Sequence, residues 1–191
     1  MTEIYVSVDI EADGPIPGDY SMLSLGSAAY DGDENLLSTF TVNIAPLEGA
    51  KQHPETMEFW KANADAWDAV QIDQQLPGCA MAKYAAWLDR LVAGTKLKPV
   101  FVGYPVVFDY SYVHWYMVHF VGRDPFSFYA LDLKTYAMAA LDTEFIETTK
   151  SIMPKEWLTR DHPHIALDDA IEQAEMFFAI RKEIKRRLGA Q

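Results

Sequence analysis

The chain has 191 residues, 50% of them hydrophobic, and its 28 acidic and 16 basic side chains give a formal net charge of −12. This length suits one domain with a sizeable core, so we expect a single domain over residues 1–191. Proteins that coat long nucleic acids through their phosphates usually carry a basic surface, and the acidic balance argues against that class. It does not exclude a protein that holds only a nucleotide end and draws positive charge from bound divalent ions.

The cysteine content and the first residues of the chain indicate the expected cellular compartment. The single cysteine, Cys79, excludes an internal disulfide framework and is typical of a reducing compartment. The first residues do not form a basic, apolar, small-residue leader, so the expected localisation is cytoplasmic. The apolar stretch 100–122 contains Asp109 and two histidines and is broken by Pro105. We interpret it as a core strand, loop and helix, not as a membrane span.

The first third of the chain predicts an antiparallel meander. Residues 3–10 alternate apolar and polar side chains, with the even-numbered positions on one face of a strand. Glycine, proline and aspartate over 13–19 mark a loop. Residues 22–30 and 36–44 predict two further strands, joined by a hairpin-type connection.

The remaining elements predict helices that alternate with two more strands. Helices are predicted over 55–63, 65–72, 78–93, 110–121, 132–141 and 166–188, and strands over 99–103 and 128–131. This order indicates an α/β protein with a mixed five-stranded sheet and helices on both faces.

The first strand ends in a pair of acidic residues. Asp9 and Glu11 are two positions apart, so their side chains leave the same face of the strand, opposite the apolar positions. Two adjacent carboxylates repel each other unless a cation lies between them, and Mg²⁺ and Mn²⁺ prefer oxygen ligands. Taken alone the pair is a weak signal, because alternation on a half-exposed strand produces acidic pairs by chance.

Another candidate, Asp109, follows the predicted buried strand at 99–103. It comes after an almost wholly apolar segment and is expected to open a helix. An ordinary helix N-cap explains an aspartate in this place and does not exclude a metal ligand. Asp132 has the same N-cap interpretation and no further role.

The last predicted helix carries the most specific candidates. His164 immediately precedes this helix, and Asp169 lies inside it among alanines that would let the helix approach the sheet and bring Asp169 to the first strand. Asp168 and Asp169 point about 100° apart on an α-helix, so only one of them can face a site. His164 alone would be interpreted as a loop histidine. His162 is set aside, because Leu167 stands five positions after it instead of an acid.

Together these segments resemble the DEDDh group of 3′–5′ exonucleases, which includes the proofreading subunit of DNA polymerase III, oligoribonuclease and ribonuclease T. In that family an Asp-x-Glu ends the first strand, an Asp follows a Phe, and a His precedes an Asp by five positions. The matching residues, which span nearly the whole chain, are Asp9, Glu11, Asp109 after Phe108, His164 and Asp169. The resemblance implies a ribonuclease H-like fold.

The resemblance also implies a mechanism. Asp9, Glu11, Asp109 and Asp169 would hold two Mg²⁺ or Mn²⁺ ions about 3.5–4 Å apart, with Asp9 bridging both. His164 would be the general base that takes the proton of the attacking water. The products would be nucleoside monophosphates released from the 3′ end.

Substrate contacts are assigned partly from the resemblance. It places the backbone of Ala12 and Gly14 against the terminal nucleotide and aligns Pro15 with an apolar wedge that is often Leu in the family. Trp60 could stack on a base, an interaction worth about 1–3 kcal/mol, whereas we expect Phe59 to pack against the sheet. The acidic surface favours short RNA or single-stranded ends over long duplex DNA.

Two departures from the family concern the nucleotide pocket and leave the metal site intact. The family often has His-Asn before the Phe-Asp pair, where this chain has Val106 and Val107, and a Thr after the Glu, where it has Ala12.

Two other classes of protein stay open. One is a catalytically silent ribonuclease H-like module that binds nucleic acid or a protein, although a binding module has no use for all five residues. The other is a metal-dependent endonuclease on the same fold, against which His164 favours an exonuclease. Exposed aromatic side chains permit a homodimer.

Overall fold

A mixed sheet of five strands forms the centre of the protein, seen here in a computed structural model that describes residues 3–158 and 164–189. The strands are β1 (Ile4–Ala12), β2 (Met22–Asp31), β3 (Leu36–Asn43), β4 (Pro99–Gly103) and β5 (Ala130–Asp132), in the spatial order β3-β2-β1-β4-β5. The first three are antiparallel neighbours, while β4 is parallel to β1 and β5 is parallel to β4. The carboxyl ends of β1, β4 and β5 therefore lie at one edge of the sheet.

Six helices accompany the sheet in the part of the chain that the structure describes. They are α1 (Pro54–Ala62), α2 (Ala64–Val70), α3 (Pro77–Val92), α4 (Val106–Val121), α5 (Leu133–Leu141) and α6 (Ala166–Arg187). Short 3₁₀ turns occupy Phe145–Glu147 and Lys155–Trp157 between α5 and α6. None of the helices within the described ranges is both long enough and apolar enough to cross a membrane.

The alternation along β1 divides the core into two layers. Its even-numbered residues are buried in one apolar cluster with side chains of α3 and α4, among them Tyr84 and Tyr112. On the opposite face Tyr5 packs against Phe177 of α6, with the ring centroids 4.8 Å apart. Because side chains alternate along a strand, the odd-numbered Asp9 and Glu11 also leave β1 on the α6 side.

The predicted five-stranded sheet with helices on both faces is confirmed, and the apolar stretch 100–122 folds as β4 and α4. The start of α4 differs from the prediction, since the helix begins at Val106 and Asp109 lies within its first turn instead of capping it. A long-range contact explains the earlier start, because the Val106 amide donates to Asp132 Oδ2 at 3.0 Å. Asp132 is also the N-cap of α5, as predicted, and accepts a hydrogen bond from the Thr135 amide.

Two apolar side chains predicted in regular elements lie outside them. Phe128 precedes β5 and is almost fully exposed, and Leu188, placed at the end of the last predicted helix, follows the end of α6 and is exposed. A short apolar run such as 128–131 carries too little periodicity to define where a strand begins, and Leu188 is a single apolar residue after three basic ones, beyond the last turn of the helix.

A glycine in β2 allows α6 to lie directly on the sheet. Gly26 is paired with Asp9 across the β1–β2 ladder. A Cβ atom on Gly26 would lie 2.2 Å from the carbonyl carbon of Ala166 and 2.2 Å from the Leu167 nitrogen, far inside van der Waals contact. The first turn of α6 can therefore reach β1 only because position 26 has no side chain.

We expect Gly26→Ala to destabilise the protein by about 1–3 kcal/mol or more, because the added methyl group meets backbone that cannot rotate away. Urea denaturation followed by circular dichroism measures this change. Gly78→Ala is the matched control: it lies in a helix, and its new Cβ would meet only Phe120 at 3.7 Å. This control should be neutral or stabilising by up to about 1 kcal/mol. Equal stability of the two variants would contradict the account of Gly26.

Candidate active site

Three elements bring the acidic candidates together at the carboxyl edge of the sheet. Asp9 and Glu11 lie near the end of β1, Asp109 lies in the first turn of α4, and Asp169 lies in the first turn of α6. The helices α4 and α6 cover opposite faces of the sheet and converge where β1 and β4 end. The site is thus built by the fold from residues 160 positions apart in the chain.

Short distances separate these groups. Possible ligand atoms of Glu11, His164 and Asp169 all lie within 4.8 Å of one another. Asp109 Oδ1 accepts a hydrogen bond from the Ile10 amide at 3.3 Å, which places this carboxylate between the two acidic residues of β1. These contacts unite four of the five residues that the sequence singled out. The fifth, Asp9, is joined to α6 by a hydrogen bond from Gln173, which lies one helical turn after Asp169.

Burial, together with the crowding of the carboxylates, disfavours the ionised forms of Asp9, Glu11 and Asp109 when no cation is bound. Desolvation raises the pKa of Asp9 well above its ordinary value, and the neighbouring charges of Asp109 and Asp169 raise it further. Desolvation, followed by the charges of Asp9 and Asp169, raises the pKa of Glu11 to about 9. The pKa of Asp109 is also raised well above the ordinary range by desolvation. The donor set is hard, anionic and crowded, and it suits a divalent cation.

His164 stands at the entrance of α6 in a left-handed backbone conformation, with φ of 56°. The ring of Phe59 lies edge-on to its imidazole, with the centroids 4.9 Å apart. The imidazole consequently has an aromatic neighbour on one side and the carboxylates on the other. His162, which the sequence analysis set aside, lies outside the described residues.

The choice between the two adjacent aspartates is resolved by the orientation of α6. Asp169 is fully buried toward the sheet and Asp168 is exposed. The prediction that only one of them faces the site is confirmed.

The loop after β1 is held by three side chains. The Trp60 indole Nε1 donates to the Ala12 carbonyl at 3.0 Å, and the Tyr112 hydroxyl donates to the Gly14 carbonyl at 2.6 Å. Between them, Asp13 Oδ1 accepts a hydrogen bond from the Ser21 amide at 2.5 Å. The backbone beside the carboxylates is therefore fixed in place.

The expectations for the two aromatic residues of α1 were reversed. Trp60 is only 2% exposed and packs with Leu23 and Val70, so its ring is not available to stack on a base. Phe59, expected in the core, is 39% exposed beside His164. The reason is the hydrogen bond from the indole to Ala12, a contact between distant segments that turns α1 about its axis. Pro15 is exposed on the fixed loop, next to a second exposed apolar side chain, Ile16.

Two further residues contact the site without a sequence signal strong enough to select them. The Gln173 amide Nε2 donates to Asp9 Oδ1 at 2.7 Å, from one helical turn after Asp169. Lys150 pairs with Glu172, and its positive charge partly offsets the rise in the pKa of Asp9. The position of Gln173, four residues after Asp169, could have suggested the first contact. The effect of Lys150 depends on the folding of the long connection between α5 and α6, in which this lysine lies.

Comparison with known proteins finds a relative that matches nearly the whole chain. The 3′–5′ DNA exonuclease Cap18 of Escherichia coli is 32% identical over 182 residues, which are 94% of this chain and 92% of the relative. No family model matches the chain.

Solved structures share the fold at low sequence identity. The nuclease domain of 3′hExo, a DEDDh family member bound to rAMP, has a TM-score of 0.70 and 15% identity, covering 94% of this chain and 91% of that one. E. coli Exonuclease I in complex with a dT13 oligonucleotide has a TM-score of 0.71 and 14% identity, covering 98% and 42%. Pop2p of S. pombe, in a Mg²⁺- and Mn²⁺-bound form, has a TM-score of 0.67 and 18% identity, covering 98% and 85%.

The fold and the site define a phosphodiester hydrolase of the ribonuclease H-like class. The chain belongs to the DEDDh family of 3′–5′ exonucleases.

The raised carboxyl pKa values predict how the metal-free protein responds to pH. Folding raises the pKa of Asp9, Glu11 and Asp109, so the folded state retains protons that the unfolded chain has lost. The stability associated with these protons is present near the ordinary carboxyl pKa of about 4 and is lost as the pH rises toward about 9. In EDTA, the melting temperature should therefore fall from about pH 6 to about pH 9.

Magnesium should oppose this loss, and more strongly at the higher pH, because a cation binds the ionised carboxylates. Differential scanning fluorimetry with EDTA or MgCl₂ measures both effects, and Glu11→Gln should flatten the pH dependence. A magnesium shift that is the same at both pH values, and the same in Glu11→Gln, would refute this description of the cluster.

Proposed function

We propose that the chain acts as one domain that removes nucleoside monophosphates stepwise from the 3′ end of single-stranded DNA. Two divalent ions, Mg²⁺ or Mn²⁺, would be held by the carboxylates, and His164 would be the general base. The observation that carries this proposal is the convergence of four carboxylates and one imidazole at the end of β1.

The four carboxylates have distinct places in this proposal. Asp9 is influenced by Asp109 from the α4 side and by Asp169 from the α6 side, which suits a ligand shared by two ions. Ligand atoms of Glu11 and Asp169 lie within 4.8 Å of a ring nitrogen of His164, and these two carboxylates would hold the ion beside it. When bound, two such ions would lower the pKa of the attacking water and stabilise the leaving 3′ oxygen.

The base is proposed to be the neutral imidazole of His164. A histidine titrates near neutrality, so it can accept the proton of a water held next to Glu11 and Asp169. The edge-on ring of Phe59 restricts the rotation of the imidazole and helps to keep one nitrogen directed at the cluster.

The end of the strand is proposed to bind along the fixed loop after β1. The Ala12 and Gly14 carbonyls are hydrogen-bonded to Trp60 and Tyr112, which hold this backbone in place. The backbone can therefore contact the terminal nucleotide without rearranging. Exposed apolar side chains of Pro15 and Ile16 on the loop and of Phe59 across from it would pack against the terminal base. Phe59 takes the stacking place that the sequence analysis gave to Trp60.

The choice of DNA rests on the relative. The acidic surface had favoured RNA or short ends, but the relative that matches nearly the whole chain is named as a DNA exonuclease. We therefore propose single-stranded DNA as the preferred substrate.

Digestion of 5′-labelled single strands of the same sequence, one DNA and one RNA, tests the proposal. With Mg²⁺ the DNA should shorten one nucleotide at a time, faster than the RNA. Asp169→Asn should abolish this activity, while Asp168→Asn, its exposed neighbour, should stay within about twofold of wild type. His164→Ala should slow the reaction by about 10²- to 10⁴-fold.

Three outcomes would contradict parts of the proposal. Internal fragments at the earliest times would indicate an endonuclease. Faster shortening of RNA would reverse the substrate assignment. Absence of cleavage with both Mg²⁺ and Mn²⁺ would favour a silent binding module.

A further inference from the structure

Two lysines and two aromatic rings form a cluster beside the active site. This lysine cluster consists of Tyr104, Lys134, Phe145, Thr148 and Lys150. The Lys134 ammonium donates to the Thr148 carbonyl at 3.0 Å, and the Tyr104 hydroxyl donates to the same oxygen at 2.6 Å. Lys134 Nζ lies 5.2 Å from the centre of the Tyr104 ring and 5.0 Å from that of Phe145, and Lys150 Nζ lies 5.5 Å from the Tyr104 ring. The position of Lys134 is therefore fixed by several contacts.

Topology places this cluster on the same edge of the sheet as the carboxylates. Tyr104 directly follows β4, and Lys134 is the second residue of α5, which directly follows β5. Both strands run parallel to β1, whose carboxyl end carries Asp9 and Glu11. Lys150 connects the lysine cluster to the carboxylates, because it forms an ion pair with Glu172 of α6, three residues beyond Asp169.

Lys134 differs in its charge balance from Lys150 and Lys182. Lys150 pairs with Glu172, and Lys182 pairs with Glu34. For Lys134, no carboxylate among the residues that the structure describes lies within ion-pair distance, and its contacts are a carbonyl and two ring faces. Its positive charge is therefore available to an anion from outside.

The neighbouring ring of Phe145 is 49% exposed. A lysine beside an exposed aromatic ring is the combination by which proteins hold single strands, with the cation near the backbone and the ring against a base. A chain with a net charge of −12 and an acidic active site repels nucleic acid over most of its surface, so a fixed cation at the edge of the site has a disproportionate effect.

We propose that the lysine cluster binds the nucleic-acid strand upstream of its 3′ end, with Lys134 on a backbone phosphate and Phe145 against a base. The inference rests on the proposed function, since it assumes that the terminal nucleotide lies at the carboxylates. It implies that a strand long enough to reach the lysine cluster binds more tightly than a dinucleotide that fills only the active site.

The test compares Lys134→Gln with wild type in two measurements. Fluorescence anisotropy in Ca²⁺ measures the binding of a labelled single-stranded decamer, and digestion in Mg²⁺ is followed for the decamer and for a dinucleotide. Lys134→Gln should weaken decamer binding about tenfold at low salt, as expected for the loss of a charge-assisted contact. It should reduce the salt slope of binding by about one and leave dinucleotide digestion unchanged. Lys134→Arg, which keeps the charge, should bind the decamer nearly as wild type does.

Lys98→Gln is the matched control. Lys98 Nζ lies 5.4 Å from the centre of the Tyr129 ring, a similar lysine–tyrosine contact, but it precedes β4 and so lies at the opposite edge of the sheet. This variant should bind and digest as wild type does.

The inference is overturned if Lys134→Gln binds the decamer as tightly as wild type, or if Lys98→Gln loses as much affinity. The experiment distinguishes failure of the proposed exonuclease function from failure of the proposed strand-binding site. If wild type digests neither substrate but Lys134→Gln still weakens decamer binding, the proposed function fails and the strand-binding site stands.

Discussion

The cost of burying several carboxylates side by side is the constraint on which the rest of this structure depends. Asp9, Glu11, Asp109 and Asp169 come from three separate elements, and desolvation raises the pKa of the first three. The fold holds them together because α6 lies directly on β2 at Gly26, opposite Asp9. The packing energy of α6 against the sheet thus offsets an electrostatic cost that a bound cation would remove.

Neutral hydrogen-bond donors within the protein offset part of the cost of burying these carboxylates. Asp9 accepts from the Gln173 amide, and Asp109 accepts from the Ile10 amide. Neither donor cancels charge, so the cluster keeps its attraction for cations while each carboxylate is held in a defined direction. A charged group acts from further out, because Lys150 of the lysine cluster pairs with Glu172 of α6 and partly offsets the rise in the pKa of Asp9. Acidic side chains and lysines therefore share this edge of the sheet.

Local periodicity and motif order predicted the sheet, the helices on its faces and the five site residues. Alternation along β1 fixed the side on which Asp9 and Glu11 lie, and the angle between Asp168 and Asp169 on a helix allowed only one to be buried. The features that escaped prediction depend on contacts between distant segments. The indole of Trp60 bonds to Ala12, 48 positions away, and so exposes Phe59. The spacing of residues in the sequence does not indicate such a contact.

The central claim is that these four carboxylates form one divalent-cation site. Anomalous diffraction from crystals grown with Mn²⁺ tests it most directly, because it locates the metal independently of any activity. The account predicts manganese within about 2.0–2.6 Å of carboxylate oxygens of Asp9, Glu11, Asp109 and Asp169. Manganese bound elsewhere, or no anomalous peak at this cluster at a saturating concentration, would contradict it.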